Sequence, residues 1–508
     1  MTPVLTLLGI LKANLLNPQL QRLWGKLTSL SPGKSPNRLL HVLALAAIVM
    51  ALNVISYTLA SSLFVSNVGA AGLPLSYILV GLASSPIYGW FSQIVDRIPH
   101  HALFRYWALL TGSIVLGLRA LLFWDVQPIY YALYVGVYFL WTLQLDILLP
   151  TLISDYFTSR EYKRIASYIT VCQALGGFLG GMIVGLLANL LSTADILLLV
   201  PTLYLVVFAL VWNLQRQEQP VPPEESDRHA DSPPANLGDL WRDYPIFKWL
   251  AGSTFLWIVL YGIAEYLYFD AYALHFADRP ESLTAFLGGF SAINSILQVL
   301  ILLFVTRRLL IGRVGVDGTN PIYPITTALA FLGLSLGLGV GWVFPAALFA
   351  HFNSSTIDTA INQPVYTLMY NPIPNRDMAK VRALTDGLCY ALGLATTGGL
   401  LWLAQAYLNA GLIALFGTVL SLVFVAVRHQ LSRDYFQAMV TRLFSKTAEM
   451  DLDMVEEVFQ QVPDNQIPRL KTLLREGKPQ EREKALRLAA GLRVPSRVLP
   501  EVKPLFCQ

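Results

Sequence analysis

Charged side chains are scarce in this chain of 508 residues. They make up 13% of it, about half of the share usual for a soluble domain, while hydrophobic residues make up 55% and the mean hydropathy is +0.53. Such a chain lacks the polar surface that contact with water requires. The scarcity is uneven, because 25 of the 68 charged residues fall after Val427. The first 427 residues are therefore predicted to be embedded in a membrane and the last 81 to be soluble.

Cysteine is rare as well. Cys172, Cys389 and Cys507 show neither a disulfide framework nor the spacing of metal ligands, so no disulfide, metal site or cofactor is predicted. The net charge of +4 comes without a basic cluster interleaved with aromatic residues, which argues against a nucleic-acid partner. No serine stands in a recognisable arrangement with a histidine and an acid, so no enzyme is predicted.

Long apolar runs are abundant instead. A helix needs about 20 apolar residues to cross a hydrocarbon layer of roughly 30 Å. Twelve such runs predict twelve membrane-spanning helices at Leu39–Phe64, Leu73–Val95, Ala102–Trp124, Pro128–Pro150, Ile165–Leu191, Ala194–Leu214, Ile246–Leu274, Leu283–Val305, Pro321–Val343, Phe344–Tyr370, Ala383–Tyr407 and Leu408–Val427.

Lysine and arginine are distributed very unequally between the connections. Twenty lie on the side of the N-terminus, whereas the opposite connections carry Arg279 alone. Because positive charge is retained on the cytoplasmic side, both termini are predicted to be cytoplasmic, which requires an even number of spans. The chain is expected to be a monomeric, multi-pass protein of a bacterial plasma membrane, with the lipid bilayer and a small solute as its partners.

The chain divides into five predicted segments. They are a basic cytoplasmic N-terminus (1–38), a six-helix bundle (39–214), a polar linker (215–245), a second six-helix bundle (246–427) and a soluble helical tail (428–508). The N-terminus is predicted to contain an interfacial helix around Leu11–Trp24, with an organelle transit peptide as the alternative. The tail is predicted to be a solvated appendage, and the alternative is a docking site for a cytoplasmic partner.

Two short sequence similarities, which we call echoes, relate the two predicted bundles. Leu75 and Ser76 in the second span match Leu283 and Thr284 in the eighth. The connections after spans 4 and 10 read SREYKR and NRDMAKVR, in which an arginine and an acid precede a lysine and an arginine. Since both copies of the second echo lie on the positive side, the bundles are predicted to be parallel repeats.

The second echo also suggests a gate. Its arginines and acids are predicted to form salt bridges between the halves that close the cytoplasmic mouth and break when it opens; they are Arg160, Glu161, Arg376 and Asp377. The alternative is that these residues anchor the helix ends at the membrane edge.

The connection between spans 2 and 3 reads GWFSQIVDRIPHH and resembles the signature of the major facilitator superfamily. Asp96 and Arg97 match that signature, whereas Pro99, His100 and His101 stand where glycine and arginines are usual. The resemblance implies an all-α membrane protein with twelve transmembrane helices in two parallel six-helix halves, which works by alternating access. It also implies a gating role for Asp96 and Arg97, and a central cavity lined by spans 1, 4, 7 and 10.

Three segments resemble the ATP/ADP translocase family of nucleotide transporters: LTAFLGGFSAIN (283–294), the basic cluster after Phe157 and KVRALTDGLCYALG (380–393). This resemblance implies a nucleotide substrate. However, two lysines of that family fall on Leu59 and Leu394 here, and its acids fall near Tyr138 and Phe269. A triphosphate without cationic partners in a low-dielectric cavity would be badly uncompensated, so a nucleotide is only the alternative substrate.

Polar side chains recur at helical spacing in spans 1, 4, 7 and 10. An ionised group at the bilayer centre costs about 2.5 to 3.5 kcal/mol, so such residues need a reason to be there. Those predicted to bind the substrate around one water-accessible cavity are Asn53, Tyr57, Tyr138, Trp141, Tyr261, Glu265, Tyr268, His351, Asp358 and Asn362. The alternatives are interfacial aromatic belts and hydrogen bonds between helices.

Two other features of the spans carry predictions. Arg119 is expected either to snorkel outward or to pair with Glu265. Five glycines in span 5, at positions 176, 177, 180, 181 and 185, predict close helix packing.

Together, these features predict a secondary transporter of a neutral or cationic small solute, in which Asp358 or Glu265 takes up a coupling proton. The alternatives are a nucleotide or other anion exchanger and a non-transporting scaffold or receptor with the same fold.

Overall fold

The computed structural model describes residues 36–95, 97–218, 244–277, 279–311, 314–373 and 375–443. All regular structure in these ranges is helical, and they contain no strand. A helix satisfies its own backbone hydrogen bonds, which is what a lipid environment demands. The predicted N-terminal helix at 11–24, most of the predicted linker and the tail beyond 443 lie outside the described residues.

Twelve long helices follow one another along the described ranges: α1 (Arg38–Asn67), α2 (Ala70–Val95), α3 (His100–Trp124), α4 (Gln127–Tyr156), α5 (Ile165–Leu187), α6 (Thr193–Gln217), α7 (Ile246–His275), α8 (Pro280–Leu310), α9 (Gly315–Val340), α10 (343–368), α11 (Lys380–Tyr407) and α12 (Ala410–Tyr435). Eleven of these are long enough and apolar enough to cross a membrane, and α10 falls short because polar residues fill its middle. The predicted all-helical fold is confirmed.

The middle of α10 has an unusual backbone. Between the α-helical pieces Val343–Phe352 and Gln363–Leu368, residues Asn353–Asn362 form a π-helix with the sequence NSSTIDTAIN. Shorter π-helical segments interrupt α4, α8 and α11, at Leu143–Leu148, Ile301–Thr306 and Ala383–Cys389. Such segments are rare and are frequent at functional sites. The polar middle of α10 is therefore distinctive in both its composition and its geometry.

The helix that contains α12 extends beyond the predicted start of the tail. It runs from Ala410 to Leu443, and no glycine or proline interrupts residues 428–443. The predicted boundary at Val427 followed the change in charge density, which does not coincide with the end of the helix. Arg428 therefore lies in the middle of a long helix.

The chain forms two compact units. Unit 1 comprises Met1–Asp231 and Tyr272–Val299, so it contains α1 to α6 with the end of α7 and most of α8. In this unit, a Cβ atom on Gly176 would stand 1.9 Å from the carbonyl oxygen of Ala47 in α1. A Cβ atom on Gly181 would stand 2.6 Å from the backbone nitrogen of Ala292 in α8. The predicted close packing through the glycines of span 5 is thus confirmed, with α5 in contact with both neighbours.

Three hydroxyl groups join helix ends in unit 1. The Thr284 hydroxyl lies 2.6 Å from the hydroxyl of Ser62 and 2.6 Å from that of Thr193. These residues belong to α8, α1 and α6, and Thr284 is one of the residues of the first sequence echo. The short polar side chain at this position allows all three helix ends to meet.

Unit 2 comprises Ser232–Ala271 and Leu300–Gln508, and so contains most of α7, the end of α8 and α9 to α12. Side-chain hydrogen bonds connect its helices. The Thr306 hydroxyl of α8 donates to the carbonyl oxygen of Ala360 in α10 at 2.7 Å. The Trp249 indole of α7 donates to Asp434 in α12 at 2.7 Å.

Candidate functional site

The predicted polar stripes of α7 and α10 come into contact in unit 2. The rings of Tyr268 and His351 stack with centroids 4.2 Å apart and planes 9° apart. Both side chains are buried, with Tyr268 only 1% exposed. A neighbouring ring, that of Phe269, lies 6.4 Å from the His351 ring. Aromatic and imidazole faces from two helices therefore form one buried cluster, which we call the stacked pair, Tyr268 and His351.

Asp358 lies in the π-helical segment of α10 and is 3% exposed. Its two carboxylate oxygens accept hydrogen bonds from different amides, Oδ1 from Asn362 at 2.7 Å and Oδ2 from Gln363 at 3.1 Å. Asn362, another predicted site residue, is also buried. The sequence analysis placed Asp358 and Asn362 on one face of α10, and the structure brings their side chains into direct contact.

A buried arginine of α12 completes this cluster, and the sequence analysis missed it. Arg428 is 1% exposed and donates to the side-chain oxygen of Asn320 at 2.9 Å and to that of Asn362. Its guanidinium lies over the rings of Tyr366 and Phe424, at 5.2 and 5.4 Å from their centroids. We call Asp358, Asn362, Arg428 and Asn320 the polar core.

The two opposite charges of the polar core, on Asp358 and Arg428, are linked through the side-chain amide of Asn362. Asp358 and Arg428 lie close enough for their charges to attract each other, and Asn362 connects the two through one hydrogen bond to each. Asn320 supports the cation from the other side, since its amide donates to the Arg428 carbonyl oxygen and to the Ser432 hydroxyl, each at 2.9 Å. A buried cation needs such partners, because burial without them is strongly unfavourable.

The other predicted residues of α7 differ in their surroundings. Glu265 is 3% exposed, and Tyr261 is half-buried. Tyr261 lines a small cavity of about 10 Å³ together with Thr327 and Asn353, which is room for about one water molecule. Tyr261 of α7 therefore lies close to polar groups of α9 and α10.

Arg119, for which the sequence analysis left two interpretations, pairs with a third group. Its guanidinium donates to Asp195 of α6 at 2.6 Å within unit 1. Asp195 was not among the partners that the sequence analysis considered for Arg119. The cause of this ion pair is the position of Asp195 in the first turn of α6, beside the end of α3.

Unit 1 holds a second group of predicted site residues. The Tyr57 ring of α1 and the Trp141 ring of α4 lie 5.8 Å apart and are tilted by 44°. Tyr138 is half-buried one turn earlier in α4, and Asn53 is buried one turn earlier in α1. The Asn53 amide nitrogen and the Trp141 indole nitrogen are buried donors without an acceptor among the described residues. Buried donors are usually paired, so these two are exceptions among the described residues.

The predicted gating residues are found in different settings. Arg97 is exposed, Asp96 lies outside the described residues, and so do the side chains of Arg160 and Arg376. Asp377 is buried and accepts a hydrogen bond from the Tyr244 hydroxyl at 2.7 Å within unit 2.

Glu161 closes the first turn of its helix in unit 1. Its carboxylate accepts from the backbone of Thr158 at 3.0 Å, the Thr158 hydroxyl accepts from the backbone of Glu161 at 3.3 Å, and Arg38 lies 3.7 Å away. This is a capping box, and its T-x-x-E pattern is a signal that the sequence analysis did not use. The gating role predicted for the charged residues of these connections stays a prediction.

Comparison with known proteins identifies the family of this chain and solved structures with a similar fold. The family model described as Major Facilitator Superfamily matches residues 36–398. No individual curated protein matches the chain. Similar solved structures include the nucleoside transporter NupG, which is 14% identical with a TM-score of 0.54 over 79% of this chain and 99% of that one. The POT family transporter PepTSo is 12% identical with a TM-score of 0.58, over 80% and 99% of the two chains.

A bacterial homologue of the iron transporter ferroportin, in an inward-facing state, is 12% identical with a TM-score of 0.55, over 78% of this chain and 100% of that one. At these identities the three structures show a shared fold and nothing about the substrate.

Proposed function

Because the chain belongs to the major facilitator superfamily, it is a secondary transporter of a small solute in a lipid bilayer, and we propose that its solute is neutral or cationic and that Asp358 carries a coupling proton. The observation that carries the proposal is the polar core, in which a buried carboxylate and a buried guanidinium are joined through one amide.

The polar core supports proton coupling through its charge balance. With Asp358 ionised, the charge of Arg428 has an opposite charge nearby. Protonation of Asp358 removes that charge and leaves the buried cation with neutral partners, which is a costly state in a low-dielectric interior. Proton binding thereby changes the free energy of the packing between α10 and α12. A proton-coupled transporter needs this kind of link between protonation and helix arrangement.

The surrounding groups favour a neutral or cationic solute. The stacked pair and the Tyr57–Trp141 pair contribute aromatic rings, and the faces of such rings attract cations. The unpaired donors of Asn53 and Trp141 suit a solute with hydrogen-bond acceptors. We propose that both groups of side chains bind the solute, together with Tyr138, Tyr261 and Glu265.

Nucleotide exchange is the rival function, because of the resemblance to ATP/ADP translocases. It requires cationic groups that are available to phosphate. Arg428, the buried cation of the polar core, already donates to Asn320 and Asn362, so it offers little to a polyphosphate. A third possibility is a non-transporting scaffold or receptor with this fold. In that case, variants of Asp358 and Glu265 would leave every ligand response and flux intact.

The remaining features of the proposal follow the sequence analysis. We propose a monomer in a bacterial plasma membrane with both termini in the cytoplasm, no enzymatic activity, gating by the charged residues after α2, α4 and α10, and a tail that docks a cytoplasmic partner or is simply solvated.

A ligand screen tests the proposed substrate class. Purified protein is heated with nucleosides, dipeptides, organic amines, ATP and ADP, and the shift of the melting temperature is recorded. Neutral or cationic compounds are expected to stabilise the protein, by about 2.7 kcal/mol when present at 100 times their Kd. Stabilisation by ATP or ADP alone would overturn the proposed class in favour of nucleotide exchange.

A further inference from the structure

The polar stripe of α10 continues beyond the residues that the sequence analysis identified. Tyr366 and Tyr370 follow Asn362 at intervals of four residues. Tyr370 is 1% exposed, and Tyr366 is half-buried. Neither phenol has a role in the proposed solute site. Their hydroxyl groups nevertheless take part in a series of hydrogen bonds that runs from Thr254 to Asp386, beside the polar core.

Tyr370 is the branch point of this series. Its hydroxyl oxygen lies 2.7 Å from Oδ1 of Asp386, 2.6 Å from the Thr385 hydroxyl and 3.1 Å from the Tyr366 hydroxyl. A phenol has only one proton, so it cannot donate to all three neighbours at once. The hydrogen bonds therefore have alternative arrangements that differ in the direction in which each proton points. Transfer of a proton along a chain of hydroxyl groups requires this freedom.

The inner end of the series contacts the polar core through the Tyr366 ring. The Tyr366 hydroxyl bonds with the Thr254 hydroxyl of α7, and the Arg428 guanidinium lies over the Tyr366 ring. The same guanidinium donates to Asn362, which in turn donates to Asp358. The outer end is Asp386, which lies in the π-helical segment of α11 and is exposed. The series thus runs from a tyrosine in contact with the polar core to an exposed carboxylate near the N-terminal end of α11.

We infer that Tyr366, Tyr370 and Asp386 conduct protons between Asp358 and the surface, an inference that rests on the proposed proton carriage by Asp358. The outward step requires water between Asp358 and Tyr366: protonated Asp358 releases a proton to this water, and the water passes one proton to the oxygen of Tyr366. Tyr366 gives its own proton to Tyr370, and Tyr370 gives its own to the Asp386 carboxylate. Asp386 releases one proton to the solvent, and rotation of the hydroxyl groups restores the starting arrangement.

The same hydrogen bonds would also hold α7, α10 and α11 together without any proton transfer. Phenylalanine substitutions separate the two roles, because they keep the rings that contact Arg428 and Arg382 and remove only the hydroxyl groups. A purely adhesive role affects the melting temperature, whereas a conducting role affects the rate at which the Asp358 carboxyl group exchanges its proton.

Infrared spectroscopy of the purified full-length protein measures that rate. On transfer from H2O to D2O, the carbonyl band of a protonated carboxyl group shifts as its proton is replaced by deuterium. Asp358→Asn identifies the band of Asp358, and Glu265→Gln separates it from that of the other buried acid. Time-resolved exchange is then compared for the wild type, Tyr370→Phe, Tyr366→Phe and Asp386→Asn. Tyr272→Phe is the matched control, because it removes a hydroxyl from a buried tyrosine of α7 outside the series.

The inference predicts that exchange at Asp358 slows by about 100-fold or more in the three variants of the series, the lower limit of what a positioned proton-transfer group usually contributes. The control should exchange like the wild type. Unchanged exchange in Tyr370→Phe and Asp386→Asn would overturn the conducting role and leave the proposed function standing. If the tyrosine variants do not fold, Asp386→Asn alone tests the conducting role. This variant is expected to fold, because the Asp386 side chain is exposed. Failure to find a protonated Asp358 band at any pH would overturn the proposed function and this inference together.

Discussion

Replacement of Arg428 by glutamine should destabilise the protein by about 3 kcal/mol. Two hydrogen bonds from the charged guanidinium are lost, to Asn320 and Asn362, each worth about 1.5 to 3 kcal/mol, and glutamine can restore one of them. The carboxylate of Asp358 also loses its opposite charge. Removal of one partner of a buried pair typically costs about 3 to 5 kcal/mol, which agrees with this sum.

The partner substitution, Asp358→Asn, should cost about as much, since it leaves the guanidinium without its carboxylate. If the two charges act on each other, the double variant should lose about 3 kcal/mol and not the sum of about 6 kcal/mol. The assay is reversible denaturant unfolding of the purified protein in detergent. Arg119→Gln combined with Asp358→Asn is the control, because Arg119 pairs with Asp195 in unit 1, and its effect should add to within about 0.5 kcal/mol. Additive losses for Arg428 and Asp358 would refute the polar core as a coupled pair.

Three further substitutions test other parts of the account. Gly176→Ala should destabilise unit 1 by about 1 to 3 kcal/mol in the unfolding assay. Gly136→Ala is the control and should have little effect, because the space around its Cβ position is open. Equal stabilities of the two variants would contradict the close packing of α5 against α1. Tyr268→Phe should keep the melting shift given by the best compound of the ligand screen and Tyr268→Leu should lose it, unless the stacked pair takes no part in binding. Trp141→Phe removes an unpaired buried donor, so it should leave the stability of the unliganded protein unchanged or raise it by about 1 kcal/mol, and it should weaken solute binding. A large loss of stability would show that the donor has a partner in the folded protein.

The helices and the polar stripes were predictable because both depend on local patterns. Apolar runs of about 20 residues predict membrane helices wherever they occur. The stripe in α10 was visible for the same reason, because the intervals of seven and four residues between His351, Asp358 and Asn362 fit one face of an α-helix. The π-helical backbone at Asn353–Asn362 therefore escaped detection.

The polar core was only half predictable. Asp358 and Asn362 stood out as polar residues in an apolar run, whereas Arg428 lies where charge density rises, and it was assigned to the tail for that reason. Its burial depends on contacts with Asn320 and Asn362, which are 108 and 66 residues away along the chain. The absence of glycine and proline after Val427 was the local signal that the helix continues.

The most direct measurement of the central claim is solute-driven proton movement in proteoliposomes that contain a pH-sensitive dye. The best compound from the ligand screen is added outside vesicles that hold the wild type or Asp358→Asn. The account predicts that the wild type moves protons together with the solute, whereas Asp358→Asn still exchanges labelled solute but moves no protons. Proton movement at the wild-type rate in Asp358→Asn would contradict it.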